Sequence, residues 1–369
     1  MSSAQNTTIP STGESKKFYF AAIDRYLTTN IVSSEEKEQR GRDYISWGEN
    51  NKYPHYLDTL YNTSVTLQTI INGTADYVVG NGVICNYADM AERVNSKGDT
   101  MHDLVQLLAA DYLKYGGFAM CIIRNNLGEV AELDYIDVSR LRCDKRREVF
   151  YYSEDWSASR VKTLKYPKFS HNEANATSIM YYEGTKTRNV YPVPLWNAAV
   201  RSAEIDRQIT DFHLNAIMNG FSGGYAFNFN NGVPDDEQKV EMERDMNDKF
   251  GGAANAGRII MSFNDDREHA LEIIKLDTDD LDKKYELVRE WVRQQLFTAF
   301  RAIPCLFGLM TENNGFSREE FLQAFELYNQ TMVRPIQQTI VREISKVLDM
   351  PDAISIMPFK LEQAEKMTE

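Results

Sequence analysis

Apolar side chains change their spacing twice along this chain, from helical to strand-like and back to helical. Trp47-Gly48-Glu49-Asn50-Asn51-Lys52-Tyr53-Pro54 is rich in turn residues and leads into a helix ending near Tyr61. A second helix is predicted from Ser64, where Leu67, Ile70, Ile71 and Val78 fall on one face, and it stops at Gly80-Asn81-Gly82. A third runs from Met101 through Leu104, Leu107, Leu108 and Leu113 to the Gly116-Gly117 pair. From Phe118 to about Tyr191 the pattern becomes short β runs, at Phe118–Ile123, Glu129–Leu133, Val149–Tyr152 and Ile179–Tyr182. Residues 1–17 read as a disordered polar tail, and residues 33–43 as an exposed loop or a short solvated helix. Pro192 and Pro194 mark the internal boundary, so residues 18–194 form an α/β domain.

Beyond that boundary, residues 195–221 read as one long helix with Ile205, Ile209, Phe212 and Ala216 on one face. Residues 222–278 form a small α/β insert. Tyr225, Phe227 and Phe229 alternate as in a strand, Pro234 opens an acidic helix to Phe250, and Arg258–Phe263 and Leu271–Leu276 supply two more strands. A second long helix, residues 279–303, starts with Asp279, Asp280 and Asp282, which suit the positive end of its dipole. Its apolar stripe is Leu281, Tyr285, Val288, Val292 and Leu296. Pro304 stops it, and residues 304–316 form a loop closing in Asn313-Asn314-Gly315. The third long helix, residues 317–348, has a capping box in Ser317 and Glu320 and a hydrophobic staple in Phe316 and Phe321. Pro335 should kink it, because proline has no backbone N–H to donate. Residues 349–369 are left as a C-terminal segment or tail. The fold class is α+β.

Composition narrows the chemistry more than the architecture. With 43% hydrophobic and 26% charged residues, the 369-residue chain has a globular balance. Its net charge of −13 argues against gripping nucleic acid over the whole surface, though not against a nucleic acid that passes without being held. Cys85, Cys121, Cys143 and Cys305 lack C-x-x-C spacing and read as reduced thiols. The first 17 residues do not resemble a signal peptide, and no apolar run approaches the roughly 20 residues of a membrane span. The five histidines show no ligand spacing. Asp235-Asp236 and Asp279-Asp280 sit at helix starts and Asp265-Asp266 in a turn, where carboxylates are favoured without catalysis. Gly251-Gly252 with Gly257 lacks the G-K-[ST] ending of a phosphate loop, and nucleophile signatures are absent. Lys145-Arg146-Arg147 and Lys283-Lys284 are short enough to be solvated surface. No catalytic residue, metal or cofactor is expected.

The order of long helix, α/β insert, long helix, loop and capped, kinked helix resembles the portal proteins of tailed bacteriophages, of the compact long-tailed-phage type. The residues that carry the resemblance are these. Ala203–Gly220 is similar to the first stem helix, and Gly224–Pro234 to the entry of the clip. Gly251–Ile260 resembles the family's glycine-rich turn before a strand, and Phe300–Gly308 the proline ending of the second stem helix. Ser317–Phe325 resembles the start of the tunnel helix, and Arg334-Pro335-Ile336 its break. The second half of the chain carries the likeness, while the first half would be the wing. Residues 349–369 would be a crown-like segment.

The resemblance implies a non-enzymatic ring of about twelve copies at one capsid vertex of the virion, assembled in the bacterial host cytoplasm. Double-stranded DNA would pass through its tunnel without sequence specificity. Terminase, neck or adaptor proteins and the major capsid or scaffold protein would be its partners, and no membrane. It would place Thr311, Glu312, Asn313, Asn314 and Gly315 on a tunnel loop facing DNA. Phe316, Ser317, Glu320 and Pro335 would fix the cap and kink of the tunnel helix. Glu286, Arg289, Glu290 and Arg293, alternating in sign, are candidates for pairing between subunits. Two other readings stay open on the residues alone: another phage head–tail component, such as an adaptor or minor head protein, and an enzyme with a site between the two halves.

Overall fold

The computed structural model describes residues 31–38, 41–158, 160–173, 175–184, 189–218, 225–229, 235, 237–238, 241, 259–263, 281–309 and 317–359. They divide into two compact units. One holds Ile31–Ile209 with the residues from Leu281 onward, and the other contains the end of a long helix from Thr210 and a pair of strands.

In the larger unit a short antiparallel pair, β1 (Lys37–Glu38) and β2 (Ile45–Ser46), precedes helices α1 (Tyr53–Thr63), α2 (Val65–Val79) and α3 (Met101–Tyr115). Residues 33–38 are thus partly strand rather than loop or helix. Ser64 caps α2 by accepting the Leu67 N–H, and its own hydroxyl donates to Asp206 at 2.6 Å, so the cap also ties α2 to a helix 142 residues away. Leu67, Ile70, Ile71, Ala75 and Val78 face inward, as their spacing requires. On α3 the inward face is Leu104, Val105, Leu108 and Ala109. Leu107 is exposed, because at 100° per residue it lies off the line joining 104, 105 and 108.

Strand β3 (Gly82–Cys85) links α2 to α3, and β4 (Gly117–Arg124) follows α3. β4 is the middle of an antiparallel sheet between β5 (Val130–Tyr135) and β9 (Thr177–Glu183), with Met120 opposite Tyr135 and Met180. Gly116 ends α3 with φ +84, and a Cβ there would lie 2.2 Å from the Val193 carbonyl oxygen, so glycine is required twice over. β6 (Leu141–Cys143), β7 (Val149–Tyr152) and β8 (Leu164–Pro167) form a second antiparallel sheet.

The long helix α4 starts at Val200, after a 3-10 turn at Asn197–Ala199, rather than at Leu195, and runs to Met218. Ile209 is buried, whereas Phe212 is 37% exposed despite its place on the predicted stripe. The boundary expected at Pro192 and Pro194 is not where the chain divides. Trp196, fully buried, donates its indole N–H to the Leu113 carbonyl at 3.1 Å and stacks near Phe300, so the core runs through the prolines without a break. The division falls after Ile209 and before Leu281.

In the smaller unit, β10 (Tyr225–Phe229) and β11 (Ile259–Phe263) pair in parallel, with Tyr225 opposite Ile259. A parallel pair needs a crossover between its strands, not a hairpin. Of the acidic helix expected from Pro234 to Phe250, the described residues 237, 238 and 241 are helical, and Asp235 accepts the Gln238 N–H at 2.8 Å. The strand expected at 271–276, the tail at 1–17 and residues 310–316 of the expected loop lie outside the described residues.

Helices α5 (Leu281–Ala299), α6 (Arg318–Tyr328) and α7 (Arg334–Val347) return the chain to the larger core. Residues 349–359 are no tail. β12 (Ile354–Met357) pairs antiparallel with β3, Ile354 opposite Cys85 and Met357 opposite Gly82, with Ala353 and Ile354 buried.

Candidate functional site: the corner between the long helices

The corner from α5 to α7 is built on an aromatic cluster. α5 ends at Ala299 with Phe300 buried, and Arg301 turns the chain at φ +51. Pro304–Phe307 then forms one 3-10 turn, closed by Gly308 at φ +77. Tyr77 of α2 donates its hydroxyl to the Leu306 carbonyl at 2.8 Å. Around it Phe307, Phe325, Tyr328 and Phe359 lie with ring centroids 5.8–6.2 Å from that of Tyr77, mostly edge to face, as aromatic quadrupoles favour. Gly73 lets α2 approach: a Cβ there would meet the Phe307 ring at 2.9 Å.

The tunnel-loop residues Thr311, Glu312, Asn313, Asn314 and Gly315, and the staple residue Phe316, lie outside the described residues. The capping box is formed as expected. Ser317 donates its N–H to Glu320 at 2.9 Å, and Glu320 donates its N–H to the Ser317 hydroxyl at 3.2 Å. The Ser317 N–H and the Ser317 hydroxyl, both donating to the Glu320 carboxylate, hold its pKa below the ordinary value.

The helix then changes its hydrogen-bond register next to Pro335. Between α6 and α7 lies one π turn, Asn329–Val333, in which the Arg334 N–H donates to the Asn329 carbonyl, five residues back. Pro335 is the second residue of α7. Lacking an N–H, it leaves the Thr331 carbonyl without its helical donor, and the wider π turn accommodates that loss. α7 buries Ile336, Ile340, Ile344 and Val347. On α6 only Tyr328 is buried; it shares a 2.7 Å hydrogen bond with Thr74 of α2. A cavity of about 350 Å³ opens beside the π turn, lined in part by Tyr77, Phe325, Asn329, Arg334 and Phe359.

The Thr74–Tyr328 bond gives a direct check on this corner. Thr74→Val is expected to cost about 1–3 kcal/mol, because the buried Tyr328 hydroxyl loses its partner. Adding Tyr328→Phe should recover part of that loss, and thermal melts of both single variants and the double variant measure the coupling.

Glu286 and Arg289 on α5 are exposed, and Glu290 and Arg293 form an ion pair along the same helix. The periodicity did not single out Leu287 and Trp291, which are 72% and 49% exposed; their i, i+4 spacing off the predicted stripe was the available signal.

Elsewhere the densest cluster of ionisable groups is internal. Asp111 of α3, 1% exposed, accepts the Tyr135 hydroxyl at 3.1 Å and the Val138 N–H at 3.2 Å. Lys114 lies 3.6 Å from both Asp111 and Asp58, and Tyr115 donates to Asp58. Burial pushes the Asp111 carboxyl up to about 7. Burial opposes the Lys114 charge, but the two carboxylates outweigh it and hold its pKa above the ordinary value. These bonds tie α1, α3 and β5 together. Among the described residues no three His, Cys, Asp or Glu side chains converge as a metal site would need, and no helix is long and apolar enough to cross a membrane.

The Trp47–Pro54 motif also has a place. Trp47 stacks on Tyr191 at 4.6 Å, and Gly48, Asn50 and Asn51 all have positive φ. The Asn51 side-chain oxygen accepts the Trp47 N–H at 2.9 Å and the Nε–H of Arg142. Arg142, fully buried, donates further to the Ser139 and Leu141 carbonyls at 2.7 Å and to the Asn51 carbonyl at 3.0 Å. Its guanidinium lies 5.7 Å from the Trp47 ring and 4.8 Å from the Trp156 ring, and burial lowers its pKa to about 10.

A model of the family described as phage portal protein matches residues 86–362, well over half of the chain. The chain belongs to the phage portal protein family. That family is structural and non-enzymatic, so the chain is a portal structural subunit. No curated protein matches it. Among solved structures, a chain from the neck of an empty gene transfer agent (GTA) particle, computed with C6 symmetry, is 16% identical. It aligns with a TM-score of 0.53 over 85% of this chain and 86% of its own. A chain from the neck of the native GTA particle, computed with C12 symmetry, is also 16% identical, with a TM-score of 0.51 over 90% of this chain and 88% of its own. A chain from the virion of the native GTA particle gives 16% and 0.52, over 82% and 83%. At that identity the likeness is one of fold, and the fold is the portal fold, a mixture of helix and strand as expected for α+β.

Proposed function

We propose that this portal protein is one subunit of a ring of about twelve copies at a capsid vertex, whose channel carries double-stranded DNA during packaging and ejection. The observation that supports it most is the continuous family match from 86 to 362, which takes in both long helices, the corner and the capped, broken helix. The C12 symmetry of a neck that holds a structural relative agrees with the copy number. In this reading the wing is the first half of the chain up to α4, the stem is the helix from Val200 to residue 221 together with 279–303, the clip is 222–278, and the tunnel helix is 317–348. Residues 304–316, including Thr311–Gly315, are the tunnel loop.

Terminase would dock on the clip, neck or adaptor proteins would replace it, and the capsid or scaffold protein would meet the wing. Assembly would take place in the host cytoplasm. The physical chemistry suits passage rather than grip: a chain of net charge −13 gains little from phosphate neutralisation, so DNA slides with little sticking.

Purified protein is expected to give a native mass of about twelve subunits and a negative-stain image of a ring with a central channel. In the same sample, DNA should bind weakly and with little sequence preference. A particle that stays monomeric at high concentration, or that binds one DNA sequence tightly, would sink the reading.

A further inference from the structure

On α5, Val292, Leu296, Phe297 and Phe300 point into the core. At 100° per residue, the opposite side of the same helix carries Lys284 in its first turn and then Leu287, Trp291, Gln294, Gln295 and Thr298, these five exposed and uncharged. This neutral stripe is out of keeping with the rest of the helix, where Glu286, Arg289, Glu290 and Arg293 alternate in sign and Glu290 pairs with Arg293 on the flank. The chain has four tryptophans. Trp47, Trp156 and Trp196 are buried at 1%, 5% and 0% exposure, and Trp291 alone faces outward.

We propose that the Leu287–Trp291 stripe is an anchor of the contact between neighbouring copies of this chain, covered by the adjacent subunit once the ring closes. This rests on the ring reading above and assigns residues to it. A protein surface is the occupant that the chemistry favours. The core of a protein interface is depleted of charge, and tryptophan is among the residues that most often dominate its energy. A nucleic acid would require a row of cations, and the stripe carries one lysine, Lys284, in the first turn of the helix and no cation from Leu287 to Thr298. A membrane surface would favour a strongly basic polar face, whereas the flank here carries both signs in equal number. In a closed ring each copy offers two different faces to its neighbours, so a second copy is available to cover the stripe without any further partner. The ion pair between Glu290 and Arg293 already satisfies those two charges within one chain, and the hydrogen bonds of Gln294 to Glu290 and of Thr298 to the Gln294 carbonyl stay within α5, so they leave the Leu287 and Trp291 side chains uncovered.

Because the other three tryptophans are buried, acrylamide quenching of tryptophan emission reads Trp291 directly. In the free chain roughly one of the four tryptophans should be quenchable, and in the assembled ring almost none. Leu287→Glu places a charge in the stripe while keeping the reporter. It should give the native mass of a monomer, an unchanged circular dichroism spectrum, and quenchable emission that Trp291→Phe removes. Glu290→Gln with Arg293→Gln, on the flank, should still assemble. The inference is overturned if Leu287→Glu forms rings of wild-type mass, or if Trp291 stays fully quenchable in the wild-type ring; the second result does not depend on how any variant folds. In both cases the wild-type ring itself stands. A wild-type chain that forms no ring overturns the portal-ring reading together with this inference, so the two failures are distinct.

Discussion

Replacing Arg142 with alanine will lower the stability of the larger unit by roughly 3–5 kcal/mol, the largest effect expected of any single substitution described here. The loss has three sources. The Asn51 side-chain oxygen and the carbonyls of Ser139, Leu141 and Asn51 lose buried donors. The faces of Trp47 and Trp156 lose the cation between them. The left-handed turn at Asn50 and Asn51, which costs backbone energy, loses the contact that holds it. Arg142→Lys should recover only a fraction, because an ammonium cannot reach the planar set of acceptors that the guanidinium spans. Chemical denaturation of the purified variants measures both. A loss below about 1 kcal/mol for the alanine variant would show that the Trp47–Asn51 turn holds without Arg142.

Stability should also fall as pH rises from about 4 to 7 at the Asp111 cluster, against the usual carboxylate trend. The folded protein holds Asp111 at about 7, well above the ordinary carboxylate value of 3.8. Through that window the folded state binds a proton that the unfolded chain has released, so raising pH favours unfolding. The difference of about three units corresponds to roughly 4 kcal/mol at full ionisation. Asp58, also raised by burial, adds in the same direction. His55, lowered first by burial and then by Arg142, works the other way below its ordinary value. Asp111→Asn isolates the term: relative to wild type, its melting temperature should rise steadily from pH 4.5 to 7.5. A constant offset across that range would show that Asp111 keeps its charge when folded.

What was legible in the sequence was what neighbours in the chain decide. The Ser317–Glu320 box, the helix start at Ser64 and the Gly116 stop each depend on residues within one or two turns, and each is present in the fold. Signals set by distant partners were misread or unseen. Pro192 and Pro194 look like a boundary locally, but Trp196 reaches Leu113, 83 residues back. The role of Asn51 depends on Arg142, 91 residues on. β12 is four residues long and gains its identity only by pairing with β3. At the corner, the π turn beside Pro335 could not be read from the sequence, since a π turn has no composition of its own. On α5, the alternating charges were visible as candidates for pairing between subunits, whereas the stripe behind the predicted core face emerged only with the exposures of Leu287 and Trp291.

The two halves of the broken helix are held with very different stiffness. α7 is clamped by four buried side chains, and the chain that follows it is pinned by the β12–β3 ladder. α6 is held by Tyr328 and half-buried neighbours, and it joins α7 through five residues already out of α-helical register. A mechanical load delivered at Ser317 would therefore meet a compliant joint before a rigid anchor. The N-terminal half of the helix could swing or slip by a residue while Ile336 to Val347 stay in place, so that motion at the corner is absorbed there and does not loosen the core.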